Sequence, residues 1–231
     1  MRRVFGPIVT VILGVAVIAL VGLGFRSQTY VSPAGTQVAK QIGTATVGGK
    51  TVPHVALNLA VYPDASGSVN GQPVHPGGNP SWPTYAMTNQ LQVPANSLVT
   101  MTIVQYDSGG SLNNPFFANV RGTVGGTATI DGKAVKTWNP NDIGHTFSLR
   151  PYPGVSPGFF VNVPLPLAGN ADGSNNCDTA GCPHHTITFS FVSGSKGLYA
   201  WNCEFPCGLS VAGFGAVMSA NGYMSGDLHV V

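Results

Sequence analysis

The chain has 231 residues, 43% of them hydrophobic and only 8% charged, against roughly 25% charged in an ordinary soluble domain. Thirty-one glycines, 18 prolines and a single glutamate, Glu204, exclude long amphipathic helices, whose outer faces need charge, and the apolar content excludes disorder. Three of the ten basic residues (Arg2, Arg3, Arg26) flank the first hydrophobic run, leaving seven against eight acidic ones, so no basic patch supports nucleic-acid binding.

From Val4 to Phe25 the chain is uncharged and almost wholly apolar over 22 residues. At about 1.5 Å per residue this reaches about 33 Å, enough to cross a bilayer. Arg2 and Arg3 precede it and only Arg26 follows, which predicts a cytoplasmic N-terminus and an extracytoplasmic bulk. A cleaved signal peptide is the alternative, although no A-x-A site follows. Residues 1–26 are therefore expected to be an anchor (or signal peptide), 27–50 a Ser/Thr/Gln/Gly tether, and 51–231 one domain.

Within that domain the hydrophobic period is two. Leu57, Leu59 and Val61 alternate with small or polar residues, as do Val99, Met101 and Ile103, and Ile187, Phe189 and Phe191. Thr127–Ile130 and Ala134–Trp138 are joined across Asp131-Gly132, a hairpin signal. His145–Leu149, Phe159–Val163, Leu198–Cys203 and Met224–Val231 are further strands. Long Gly/Pro/Asn connections, 63–90, 107–126 and 164–184, separate them. About eight short strands without a helix of note predict a β-sandwich or small barrel.

Chemistry-bearing patterns are few. The aspartates are scattered through turns, Ser193-x-x-Lys196 reads as a hairpin loop rather than a nucleophile motif, and no Gly-rich loop opens a helix to hold a nucleotide. No catalytic residue is expected. All four cysteines lie in the last quarter. Cys177 and Cys182 are spaced for a small disulfide loop in an oxidising compartment. Cys203 and Cys207 are open to two readings, metal ligands or a second disulfide.

Three segments belong together: Gly144-His145-Thr146-Phe147-Ser148-Leu149, Tyr199-Ala-Trp-Asn-Cys203-Glu-Phe-Pro-Cys207-Gly208, and Met224-Ser-Gly226-Asp-Leu228-His-Val230. Their pattern resembles the cupredoxin family, and Cys203-x-x-x-Cys207-Gly208 is similar to the dinuclear copper loop of cytochrome c oxidase subunit II. The resemblance extends loosely over Val55–Val231 and is specific around 145–149 and 199–230. It implies an all-β, cupredoxin-like Greek-key sandwich with long loops, which would follow the one transmembrane helix read from Val4–Phe25. It also implies copper at His145, Cys203, Cys207 and Met224, and one-electron transfer with a cytochrome or terminal oxidase complex. Soft thiolate, imidazole and thioether donors suit copper in both oxidation states.

The pattern departs from the family at one place. No histidine lies between Cys203 and Met224, and Val211 stands where the oxidase-like alignment needs one. Cys207 could substitute, one of His54, His75, His184 or His185 could swing in, or the site could be vestigial. Met218 is the alternative thioether. A metal-free, disulfide-stapled subunit of a membrane complex and a copper storage or delivery protein are the rival readings.

Overall fold

A computed structural model describes residues 13–19, 35–69, 71–86, 88–108, 113–152, 159–168, 182–207, 216–220 and 222–231. The chain divides into two compact units, Met1–Val31 and Ser32–Val231. In the first, residues 13–19 are helical and carry exposed Leu13, Val15, Val17 and Ile18. The rest of the apolar run 4–25 lies outside the described residues. Among the described residues no helix is long and apolar enough to cross a membrane.

The second unit is a two-sheet β-sandwich. Its strands are β1 (Thr36–Val38), β2 (Lys40–Val47), β3 (Lys50–Tyr62), β4 (Ser68–Val69) and β5 (Gln72–Pro73). There follow β6 (Thr84–Ala86), β7 (Gln90–Val93), β8 (Leu98–Gln105), β9 (Ala128–Ile130) and β10 (Lys133–Val135). The last five are β11 (Ile143–Pro151), β12 (Val161–Pro166), β13 (His185–Val192), β14 (Gly197–Asn202) and β15 (Ser225–Val230). One sheet runs β1-β7-β15-β14-β11-β12 and the other β10-β9-β13-β8-β3-β2, with β6 on β3 and a separate β4-β5 ribbon. The chain passes from β12 to β13 and back to β14 by crossing between sheets, as sandwich topologies do.

The period-two segments form the strands expected of them, because alternation places one side chain in two against the facing sheet. In β8 the buried residues are Val99, Met101, Ile103 and Gln105, and in β13 they are Ile187, Phe189 and Phe191. Asp131 and Gly132 both take positive φ, 49° and 79°, as a two-residue hairpin of the favoured hand requires; Lys133 pairs with Ile130 across it. The stretch 27–50, expected to be a tether, supplies β1 and β2, which pair with β7 and β3 at the sheet edges. Their side chains are mostly exposed, so no hydrophobic period marks them.

β11 and β12 are buried on both faces. The segment before β9 covers them: Arg121 and Asn162 exchange backbone hydrogen bonds of 2.9 and 3.0 Å. The Asn162 Nδ2 group donates to the carbonyls of Phe117 and Asn119. Buried polar groups on that face are thereby satisfied, as burial demands. Ser193 serves the same purpose: its Oγ donates to Pro94 O and accepts from Ser97 N–H, which is a structural use of that hydroxyl.

Candidate metal centre

The centre is built where β11 and β14 meet the loop that follows β14. The register between β11 and β12 shifts between Ile143 and His145, and such irregularities re-aim the next side chain. His145 follows the shift and is 1% exposed. On β14 the ladder to β15 continues one residue beyond the strand, with Cys203 N–H donating to Met224 O at 2.8 Å. The loop then doubles back over β11. Glu204 N–H donates to Thr146 Oγ1 at 2.8 Å, and Thr146 N–H donates to Cys203 Sγ at 3.4 Å.

This folding brings three donors together. His145 Nδ1 lies 3.0 Å from Cys207 Sγ and 3.7 Å from Cys203 Sγ, and the two sulfurs are 3.1 Å apart with no disulfide between them. All three are buried, and their ligand atoms lie within 4.8 Å of one another, close enough to hold one metal ion. Phe205 N–H donates to Cys203 Sγ, and Cys207 Sγ donates to Phe205 O. The Phe205 ring is buried against Phe117, 6.4 Å between centroids. Two sulfurs and one imidazole nitrogen form a soft donor set that fits copper and other thiophilic ions, and not magnesium or calcium.

On its other side His145 meets Asp107, with Nε2 2.6 Å from Oδ2. Burial works against charge on Cys203, but Cys207, His145 and the Thr146 N–H outweigh it and hold that thiol well below its ordinary range. Burial and the neighbouring Cys203 sulfur push the Cys207 thiol well up. Burial lowers the His145 pKa, yet Asp107 and Cys203 together raise it to about 10. Without a metal, these directions favour positive charge on the His145 ring and negative charge on Cys203. Binding of a cation there would displace protons from Nδ1 and from Cys207.

Of the expected ligands, His145, Cys203 and Cys207 are thus brought together. Met224 is 1% exposed and packs in the same core, beside Cys203 through its backbone. Met218 is partly buried against that core. None of the proposed substitute histidines enters the cluster among the described residues. The His54 ring nitrogen bonds Thr100 Oγ1. His184 Nδ1 bonds Cys182 O, and His185 is held by Asp131 and Leu167 O. His75 stacks on Tyr223 at 4.0 Å between centroids. The expected Cys177–Cys182 disulfide involves Cys177, which lies outside the described residues. Asp107 and Thr146 were missed from sequence: Asp107 sits before Ser-Gly-Gly and reads as a turn residue, while Thr146 reads only as part of a strand.

No protein-family model matches the chain, and no curated protein sequence does. Among solved structures it is similar to rusticyanin, described as a copper protein, at 14% identity and a TM-score of 0.37, covering 83% of this chain and 88% of that one. Rusticyanin from Thiobacillus ferrooxidans gives 15% identity and a TM-score of 0.32 over 83% and 88% of the two chains. Auracyanin B gives 14% identity and a TM-score of 0.30 over 84% and 97%.

Proposed function

We propose that the protein is a membrane-anchored, extracytoplasmic, cupredoxin-like copper protein that transfers single electrons. The observation that carries this reading is the convergence of His145 Nδ1 with the sulfurs of Cys203 and Cys207 in a buried site. The sequence resemblance around His145, Cys203 and Met224 supports copper as the ion. His145, Cys203 and Cys207 would hold it, and Met224 would supply a weak thioether. Bound copper would provide a one-electron redox couple.

The chain's own part is to keep the donors still. His145 is fixed by strand β11 and Asp107, and Cys203 by the β14–β15 ladder and two N–H donors. Donors locked by their surroundings move little when charge at the centre changes, which favours fast transfer. Docking of a respiratory partner such as a cytochrome or terminal oxidase complex would use apolar contact. Phe116, 51% exposed, packs on Phe117, which reaches the Phe205 ring inside the ligand loop.

The test is to incubate the purified chain with copper, desalt it, and record metal content, visible spectrum and free thiols. One copper per chain with an intense thiolate-to-copper band that bleaches on reduction supports the reading. Tight Cu(I) binding without a reversible couple would point to storage or delivery. Absence of both copper and free thiols would show a closed Cys203–Cys207 disulfide and a metal-free interaction module, which the 3.1 Å sulfur separation favours as the second reading.

A further inference from the structure

We propose that Asp107 is the positioning residue of the centre, holding His145 by Nε2 so that Nδ1 is the atom presented to a metal. The inference rests on the copper reading and adds to it the group that orients the ligand and tunes the ion. A carboxylate offers acceptors only, so its 2.6 Å contact requires a proton on Nε2. Nδ1 is then the one ring nitrogen left to a cation, and it faces both sulfurs. Metal-bound histidines commonly pass their second N–H to such a carboxylate, which fixes the ring and raises its basicity.

Asp107 is placed by the fold rather than by chance. The residue is 7% exposed. Its carbonyl accepts from Gln105 Nε2 at 3.0 Å and from Ala168 N–H at 3.1 Å, which ties the loop after β8 to the end of β12, one strand from each sheet. Gly144 leaves the room this loop needs. A Cβ there would stand 3.1 Å from Leu167 Cδ2 and 3.4 Å from both Gln105 Nε2 and Ser108 O. The bulge that aims His145 and the loop that carries Asp107 are therefore packed on each other.

A fixed negative charge beyond the imidazole favours the more positive state of a bound ion, so its removal raises the reduction potential. The experiment uses the full chain in three forms, wild type, Asp107→Asn and Asp107→Ala, each loaded with copper. Copper affinity, reduction potential and the electron paramagnetic resonance spectrum are measured. Asp107→Asn keeps an acceptor for Nε2–H, so it is expected to retain copper and the wild-type spectrum at a raised potential. Asp107→Ala is expected to bind copper about 10–100-fold more weakly and to give a heterogeneous spectrum. Wild-type protein that takes no copper overturns the copper reading and this inference together. Copper in the wild type with unchanged affinity and potential in both variants overturns the assignment of Asp107 alone. Should Asp107→Ala fail to fold, the potential of Asp107→Asn decides.

Discussion

Two regions of this molecule combine cysteine and histidine, and among the described residues one of them gathers donors closely enough to hold a metal ion. Cys182, His184 and His185 lie close in sequence at the start of β13, while His145 stands 58 and 62 residues before Cys203 and Cys207. Yet the two histidine rings of the first group are engaged elsewhere. His184 bonds the Cys182 carbonyl, and His185 spends both ring nitrogens on Asp131 and Leu167 O at a partly exposed edge. The distant three converge because two strands of one sheet and a loop doubled back onto Thr146 place them there. Burial then removes water as a competitor, and each donor is held by neighbours that leave it facing inward. Ligand chemistry here is a property of strand register and loop clamps, more than of residue spacing.

The sharpest break of that contrast is Cys203→Ser. It is expected to abolish copper retention after desalting, whereas the double change of His184 and His185 to Ala should leave copper content at the wild-type level. Equal losses from both would erase the distinction. Next in size is the aromatic packing of β14, the strand that leads to Cys203. Trp201 is fully buried, stacked on Phe147 and edge-on to Tyr85, so Trp201→Ala should lower unfolding stability by about 3–5 kcal/mol, read from denaturant midpoints.

The clamp itself is smaller. Thr146→Val keeps the shape and the backbone N–H to Cys203 but strands the Glu204 N–H, a loss of about 1–3 kcal/mol with copper still bound. At the exposed edge the effect should be least. Burial raises the Asp131 carboxyl, but the His185 hydrogen bond, the Thr186 N–H and the nearby imidazoles outweigh it and leave it below its ordinary range. A depressed carboxyl contributes stability above its unfolded pKa of about 3.9 and loses it as pH falls through the folded value. Asp131→Asn should therefore cost at most about 1 kcal/mol near neutrality, since the pair is solvent-exposed. It should also flatten this part of the acid decline, which unfolding curves at pH 7 and below 4 would show.

The sandwich was legible wherever period-two alternation marks one buried face, as in Val99-Met101-Ile103 and Ile187-Phe189-Phe191. It was illegible in β1 and β2, which bury little, and in Thr84–Ala86, which is buried throughout and shows no alternation. His145, Cys203 and Cys207 could be picked out because their residue types and flanking aromatics are distinctive. Asp107 could not, since its role comes from a loop pinned by Gln105 and Ala168 across two sheets, a tertiary fact with no local pattern. The same holds for Thr146, whose hydroxyl matters only because residues 203–207 fold back upon it.

The central claim is that one copper ion is held by His145, Cys203 and Cys207. X-ray absorption at the copper edge of the loaded protein tests it most directly. The account predicts two sulfur neighbours and an imidazole at short distance, falling to one sulfur in Cys207→Ser. Copper surrounded by nitrogen and oxygen alone, or a sulfur count unmoved by that substitution, would contradict it.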